Sequence, residues 1–332
     1  MKTCAIVILN YNGREMLKRF LPSICQFSRY DIWVIDNAST DDSVAVLSQD
    51  FPELQLIQLS ENFGYAGGYN WGLEQLKGNY DFYILVNSDV EVTRNWDLSL
   101  IDFLQKNKDY GAVQPKILSA QNRDSFDYAG AAGGFLDSLY YPYCRGRIWN
   151  VIEQDQGQYK DTIEVDWASG ACFALRADEF HEVGGFDAHF FAHMEEIDLC
   201  LRLRRKGLKI GFTAQSTIYH LGGATLDRSS PRKLYLNIRN SLRMIYKNEG
   251  TLVFWWIFLV KAGMEFAAGL GYLITGKPEM FSAVFDGYWD FLKSRRLVEK
   301  IKFPESKPIK KGPVDLIFWH FMILRKKYFQ DL

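Results

Sequence analysis

Three carboxylates within four residues are the densest group of side chains in this sequence that could do acid–base chemistry. Glu195, Glu196 and Asp198 open a stretch whose apolar residues keep helical spacing. Acidic residues in the first turn of a helix are favoured by the helix dipole, which alone would explain them. Crowded carboxylates also repel one another, which raises the pKa of at least one toward that of a general base. The pattern leaves a structural and a catalytic interpretation open.

A second candidate group follows the apolar run at residues 82–87. This run has the composition of a buried strand, and Asn87, Ser88 and Asp89 come at its carboxyl end. Ligands of open α/β sheets bind at that end of the strands, and a carboxylate there suits a divalent cation that holds a diphosphate. The alternative is that Asp89 caps the segment that follows it.

Alternating strands and helices must position these groups. Strand-like runs occupy residues 4–9, 32–36, 54–59 and 82–87. Longer stretches separate them, and Leu17, Leu21 and Ile24 keep helical spacing in the first. The alternation predicts an α/β fold, with a mostly parallel Rossmann-like sheet flanked by helices. The polar residues after each strand, such as Asn10, should therefore gather at one edge.

Asp36 ends the second predicted strand. A carboxylate at that place commonly accepts hydrogen bonds from a base or a ribose, although Asp36 and its polar neighbours could instead start a helix. Glycines at residues 64–72 are interleaved with aromatic residues, a pattern that lets the backbone approach a ligand closely. They match neither the dinucleotide nor the P-loop fingerprint.

Composition narrows the class of protein. The chain has 39 basic and 40 acidic residues, so the total charge gives no argument for binding nucleic acid. Its five cysteines are scattered without paired spacing, which predicts a reducing compartment rather than a disulfide framework or a zinc site. The N-terminus runs directly into the first strand, which leaves no room for a signal peptide. We expect a cytoplasmic protein.

Periodicity lapses at about residues 119–162, and we expect a long loop there that contacts substrate. Arg145 and Arg147 in this stretch could clamp a phosphate, or they could be solvated surface side chains. Trp167 could stack against a sugar, or it could be a core aromatic residue.

The C-terminal region combines apolar and basic residues. Residues 252–274 are strongly apolar, but Lys261 and Glu265 interrupt them, so a helix lying on a membrane fits better than one that spans it. Basic and aromatic residues that follow would suit an anionic membrane surface. The alternative is a helical appendage folded on the catalytic domain, or one that forms a homodimer.

Several short motifs resemble those of family 2 glycosyltransferases, the inverting GT-A class, and most closely their rhamnosyltransferase-like branch. The motifs are residues 6–12 (IVILNYN), 34–41 (VIDNASTD), 62–68 (NFGYAGG), 87–89 (NSD), 184–187 (GGFD), 195–199 (EEIDL) and 220–223 (HLGG). The resemblance implies a GT-A catalytic domain over residues 1–247, with a nucleotide-binding half at 1–118 and an acceptor and catalytic half at 119–247. Residues 248–332 would form a helical, membrane-associating extension.

The resemblance also implies roles for individual residues. The nucleotide-sugar donor would be held by Asn10, Asp36, Asn62, Gly64, Asn87 and Ser88. Asp89 and His220 would bind Mn²⁺ or Mg²⁺, and Glu196 would be the catalytic base, supported by Glu195 and Asp198. Two residues depart from the family pattern: Asn87 stands where Asp is frequent, and Glu196 stands where the base is usually Asp.

The implied reaction is a single displacement that inverts the anomeric centre. It would move a sugar from dTDP-rhamnose or a UDP-sugar to a lipid-linked or cell-surface glycan. A non-catalytic sugar-nucleotide-binding or assembly subunit is the alternative from another class. A nucleotidyltransferase fits poorly, because residues 10–14 lack the glycine-rich loop of that class.

Overall fold

The computed structural model describes residues 2–222, 230–301 and 311–332. The strands are β1 (Lys2–Asn10), β2 (Asp31–Asp36), β3 (Gln55–Gln58), β4 (Tyr80–Asn87), β5 (Val90–Val92), β6 (Tyr110–Ser119), β7 (Gly134–Leu136), β8 (Pro142–Cys144), β9 (Arg147–Ile148), β10 (Val151–Ile152), β11 (Ile163–Val165), β12 (Cys172–Arg176) and β13 (Lys209–His220). The helices are α1 (Arg14–Phe27), α2 (Ser43–Asp50), α3 (Gly64–Leu76), α4 (Trp96–Lys106), α5 (Ala177–Glu182), α6 (Glu195–Arg205), α7 (Pro231–Asn248), α8 (Thr251–Ile274) and α9 (Pro278–Ser294). Gly223, Arg228, Lys302, Lys307 and Lys310, which belong to predicted motifs or basic stretches, lie outside the described residues.

The main sheet has the strand order β11-β13-β6-β12-β4-β1-β2-β3, and β5 pairs with β13. Strands β4, β1, β2 and β3 run parallel, which confirms the predicted α/β half. Strand β12 enters between β4 and β6 and runs antiparallel to both, so the second half of the sheet is mixed. Apolar clusters on the two faces of this sheet form the core.

The prediction that residues 119–162 form a long loop is wrong, because the segment contains regular secondary structure. Strands β7 to β10 form a small antiparallel sheet there, in the order β10-β9-β8-β7. The strands are only two or three residues long, so each is too short to show an alternating pattern of hydrophobicity.

The glycine-rich stretch forms α3, and its glycines pack this helix on the sheet. A Cβ built at Gly72 would lie 2.1 Å from Cδ1 of Ile35, and one at Gly68 would lie 2.8 Å from Cδ1 of Leu9. The expectation that these glycines let the backbone approach a ligand is therefore corrected for Gly68 and Gly72. They allow a close approach between helix and sheet instead.

Helices α8 and α9 pack on each other and on α7. Among the described residues one helix, α8, is long and apolar enough to cross a membrane. Its two charged residues face the protein: Lys261 is 1% exposed and pairs with Glu265 at 3.1 Å. Tyr141 and Tyr288 both donate hydrogen bonds of 2.8 Å to Glu265. The charges that interrupt the apolar sequence therefore fasten α8 to the rest of the chain.

Candidate functional site

The carboxyl ends of β1 and β2 place Asn10 next to Asp36. The two residues are register partners, and Nδ2 of Asn10 donates a hydrogen bond of 2.9 Å to Oδ2 of Asp36. The other oxygen of Asp36 accepts from the backbone N–H of Ser39 at 2.9 Å. Helix α2 starts only at Ser43, so Asp36 does not cap it. Both side chains are buried and their positions are well defined before any ligand arrives.

Asn62 and Gly64 lie at the start of α3, beside Asn37. The Nδ2 atom of Asn37 donates to the Asn62 side chain and to the carbonyl oxygen of Gly64, both at 3.0 Å. Gly64 has a φ of +71°, and a Cβ there would lie 2.6 Å from the carbonyl oxygen of Phe191. Gly64, which belongs to the predicted donor site, is thus also the residue at which α3 contacts the loop before the acid pair.

Asp89 and His220 come together although they are far apart in sequence. Oδ1 of Asp89 lies 3.3 Å from Nε2 of His220, and Oδ2 of Asp127 lies 3.2 Å from Nδ1 of the same ring. All three side chains are buried. Burial alone would lower the pKa of His220, but the two carboxylates outweigh it and raise the pKa to about 10. Strand β5, not a helix, follows Asp89, which removes the capping interpretation.

This arrangement fits a divalent cation held jointly with a diphosphate. Within the described ranges no group of three or more His, Cys, Asp and Glu side chains could hold a metal ion. Asp89 and His220 nevertheless stand side by side, and a carboxylate and an imidazole that has released its Nε2 proton are ligand types that Mn²⁺ accepts. Asp127 would orient the imidazole from its far nitrogen, as carboxylates do in metal sites. The remaining ligands would come from phosphate oxygens and water.

Asn87 and Ser88 complete this edge. Asn87, at the end of β4, is the register neighbour of Leu9, which places it one residue from Asn10 on the adjacent strand. A Cβ built at Gly13 would lie 3.7 Å from Oγ of Ser88 and 2.3 Å from Oδ1 of Asn10. The turn after β1 and the turn after β4 therefore meet at the predicted nucleotide site.

The acid pair opens α6 close to the end of β4. A Cβ at Gly170 would lie 3.8 Å from Cδ of Glu196, and the neighbouring carbonyl of Ala171 accepts a 3.0 Å hydrogen bond from the backbone N–H of Asn87. The Oε2 atoms of Glu195 and Glu196 are both buried and have no hydrogen-bond partner among the described residues. Both oxygens are therefore available to hydrogen-bond a group that enters this part of the site.

Burial changes the acidity of both residues. It raises the pKa of Glu196 to about 7. Burial, together with the nearby charge of Glu196, raises the pKa of Glu195 well above its usual value. Crowding of the carboxylates in the sequence predicted raised pKa values, and desolvation is the larger cause in the structure. A carboxylate with a pKa near 7 is suited to general base catalysis at neutral pH.

Asp198 does not have the predicted role of a supporting acid. It is fully buried, and its carboxylate accepts hydrogen bonds from Arg202 Nε at 2.8 Å and from Lys247 Nζ at 3.1 Å. Asn248 donates to its other oxygen at 3.3 Å. These partners neutralise Asp198 and fasten α6 to α7, so its function is structural.

The two arginines of the small sheet are also structural. Arg145 is buried, and its guanidinium donates to the carboxylate of Asp161 at 3.0 Å. Arg147 is buried too and lies over the ring of Tyr128, 4.3 Å from its centroid. The two arginines are therefore not solvated surface residues, and they do not form a phosphate clamp. Their guanidinium groups pair with and pack on the protein instead.

Trp167 is a core residue, which was the alternative to sugar stacking. Its indole is 5% exposed and donates a 3.0 Å hydrogen bond to the carbonyl oxygen of Phe135. A Cβ at Gly134 would lie 2.1 Å from the indole ring, so the ring packs directly on the small sheet. No face of the indole is left for a sugar.

Comparison with known proteins agrees with this geometry. A family model described as "Glycosyl transferase family 2" matches residues 5–184. The chain belongs to this family. The match covers the strand edge with Asn10, Asp36 and Asp89, and ends before the acid pair.

Several named sugar transferases are similar to this chain. The low-salt glycan biosynthesis hexosyltransferase Agl10 of Haloferax volcanii is 25% identical over 241 residues, 71% of this chain and 73% of the relative. The N-acetylglucosaminyl-diphospho-decaprenol L-rhamnosyltransferase of Mycobacterium tuberculosis is 26% identical over 238 residues, 66% and 76% of the two chains. The mannosyltransferase PcManGT of Pyrobaculum calidifontis, solved with GDP-Man and Mn²⁺, superposes with a TM-score of 0.53 at 14% identity over 88% of this chain and 87% of its own. The chain is therefore a glycosyltransferase with a GT-A type fold.

Proposed function

We propose that this glycosyltransferase moves a sugar from dTDP-rhamnose or a UDP-sugar to a hydroxyl of a lipid-linked or cell-surface glycan, with inversion. The observation that carries the proposal is the position of Glu196. Its free, buried oxygen and its pKa of about 7 support a role as proton acceptor near the end of β4, where Asp89 would begin the metal and diphosphate site.

The residues of the chain divide the reaction between them. Glu196 takes the proton of the acceptor hydroxyl as its oxygen attacks the anomeric carbon and the bond to the diphosphate breaks. Asp36 has spare lone pairs toward the base or ribose, while Asn10 holds it in place. Asp89 and His220 would hold Mn²⁺ or Mg²⁺, which when bound neutralises charge on the departing diphosphate. Attack from the face opposite the leaving group inverts the configuration.

The names of relatives support the choice of substrates. The mycobacterial relative is named for transfer of L-rhamnose to a diphospho-decaprenol-linked sugar. The archaeal mannosyltransferase with the same fold was solved with a nucleotide sugar and Mn²⁺. A lipid-linked acceptor would require this protein to work at a membrane surface. The C-terminal helices have exposed apolar side chains that suit this contact.

An apolar stripe on α8 supports membrane association. It runs along the side opposite Lys261 and is formed by exposed residues that share one face of the helix, namely Leu252, Trp256, Leu259, Leu270 and Ile274. Phe285 and Trp289 on α9 are also half exposed, and Lys293 lies over the Trp289 ring. An exposed apolar face of this kind, with the opposite side packed on the protein, would suit a helix that lies in the membrane interface. We infer a peripheral protein on the cytoplasmic face of the cell membrane.

Donor turnover tests the enzymatic proposal. UDP-, GDP- and dTDP-sugars are screened for thermal stabilisation with Mn²⁺, because a bound donor raises stability with ligand excess. Release of nucleoside diphosphate is then measured for wild type, Asp89→Ala and the surface control Asp50→Ala. We expect turnover in wild type and in Asp50→Ala, and a large loss in Asp89→Ala. Donor binding by wild type without any turnover would favour a non-catalytic binding subunit.

Vesicle flotation tests the membrane assignment. Vesicles that contain phosphatidylglycerol should carry wild type upward, and neutral phosphatidylcholine vesicles should carry less of it. Leu259→Glu, which puts a charge on the 69% exposed centre of the stripe, should abolish flotation. The matched control is Leu98→Glu on α4, at another exposed leucine. If Leu259→Glu instead changes the molar mass from dimer to monomer in solution, the stripe is a homodimer surface.

A further inference from the structure

A strained loop delivers the acid pair to the site. Phe191, His193 and Met194 have φ values of 63°, 71° and 74°, and Glu195 follows at once as the first residue of α6. Residues other than glycine rarely adopt this left-handed conformation, and strain of this kind persists only where the surroundings over-determine it. The loop must therefore be held by contacts from outside.

Asn240 on α7 makes those contacts from one side. It is fully buried, and its Nδ2 atom lies 3.0, 2.9 and 2.8 Å from the carbonyl oxygens of Phe190, Ala192 and His193. An amide nitrogen has two hydrogens, so these three acceptors share them. One side chain thereby gathers the carbonyls of the loop around a single point.

Arg239 holds the amide in its orientation. Its Nε and Nη2 atoms donate to Oδ1 of Asn240 at 3.0 and 2.9 Å, which leaves Nδ2 facing the loop. The Nη1 atom donates to the hydroxyl of Tyr235, and this hydroxyl donates to Asp290 of α9 at 2.6 Å. The contacts that hold the loop thus extend from α7 to the C-terminal helices.

The opposite side of the loop rests on α3. The carbonyl oxygen of Phe191 accepts hydrogen bonds from the backbone N–H groups of Tyr65 at 2.8 Å and Ala66 at 3.4 Å. The hydroxyl of Tyr65 in turn donates a 2.8 Å hydrogen bond to the carbonyl oxygen of Gly170. Gly170 packs next to the carboxyl group of Glu196. The loop is therefore held between the donor-side helix and α7.

We propose that Asn240 is a positioning residue that sets the place of Glu196 by holding the strained loop. This rests on the proposed function, in which Glu196 is the base. Asn240 is fully buried and its amide is bound to the loop carbonyls, so its loss should lower kcat and leave the KM for the donor nearly unchanged. A displacement of about 1 Å at a reacting group can cost on the order of 100-fold in rate.

Asn240→Asp removes both N–H donors while it keeps the shape of the side chain. Arg239→Gln is a second variant, which loosens the Asn240 amide without removing it and also removes the 3.2 Å hydrogen bonds that Nη2 of Arg239 donates to the carbonyl oxygens of His189 and Phe190. The control is Asn70→Asp, because Asn70 also uses its side-chain amide to hold distant backbone, at Phe186, outside the loop. For each variant we would measure amide hydrogen exchange of peptides covering residues 188–200, kcat, and the KM for the donor.

We expect Asn240→Asp to speed exchange in that peptide about tenfold or more, because local opening becomes easier. Its kcat should fall about 100-fold with the donor KM within about threefold, and Arg239→Gln should shift both readouts in the same direction by less. Asn70→Asp should leave exchange at 188–200 unchanged.

Unchanged exchange in Asn240→Asp and Arg239→Gln would overturn the proposal, and this result does not depend on any activity. Faster exchange with unchanged kcat would also overturn it, because the loop would then not place the base. Wild type that binds donors without turnover would contradict the function proposed for Glu196, and with it the positioning role, whatever the exchange shows.

Discussion

Glu196→Gln should make the protein more stable at alkaline pH while it removes activity. Gln keeps the shape of the side chain but never carries the charge that burial penalises. The pKa of Glu196 is raised from 4.5 to about 7, a shift of roughly 2.5 units. At about 1.4 kcal/mol per unit, a charged Glu196 lowers the free energy of unfolding by on the order of 3 kcal/mol.

The sign follows from proton uptake. Between pH values of about 4.5 and 7 the native state keeps a proton on Glu196 that the unfolded chain has released, so the stability of wild type falls as pH rises through this window. Above the native pKa the penalty is complete. The glutamine variant carries no such penalty, so the difference between the two proteins should appear only as pH rises.

Urea denaturation at about pH 5 and about pH 8 measures this difference. We expect wild type and Glu196→Gln to differ little at the lower pH, and the variant to be more stable by about 3 kcal/mol at the higher one. Glu61→Gln, at an exposed glutamate, is the matched control and should show no such change. If the free energies of unfolding of wild type and Glu196→Gln differ by the same amount at both pH values, Glu196 does not carry a destabilising buried charge.

The remaining predictions concern rate, metal and packing. Because Glu196 must be ionised, kcat should fall about tenfold between pH 8 and pH 6, and a flat profile would contradict its role as base. Asp127→Asn should weaken activation by Mn²⁺ about 10- to 100-fold, as measured by titration, since it no longer orients His220. Gly72→Ala should lower the free energy of unfolding by about 1–3 kcal/mol, because its Cβ would overlap Ile35, and a change below this range in urea denaturation would show that the helix shifts freely.

Local patterns were sufficient to predict the first half of the fold. Strands β1, β2 and β4 each contain a predicted run, and the run at residues 54–59 contains β3, because a buried parallel strand is an apolar segment that ends in polar residues. The rule that such ends share an edge brought Asn10 and Asp36 together correctly. Placing Asp89 beside His220 came from the family resemblance, and the structure puts them 3.3 Å apart.

Contacts between distant parts of the chain were not predictable in this way. Asp127 meets His220 across 93 residues, and Asn240 meets Phe190 across 50, without any spacing that marks them. The opposite error has the same origin: Asp198, Arg145 and Trp167 have suitable chemistry, but tertiary partners occupy them. Burial and pairing decide between a structural and a functional role, and neither can be read from one side chain in a sequence.

The most direct test of the account is transfer by wild type, Glu196→Gln and Glu195→Gln with the donor that stabilises the protein best. We expect wild type to form a product of inverted anomeric configuration and Glu196→Gln to lose about 10²- to 10⁴-fold in kcat, with a smaller loss in Glu195→Gln. Full activity in Glu196→Gln, or a product that retains the donor configuration, would contradict it.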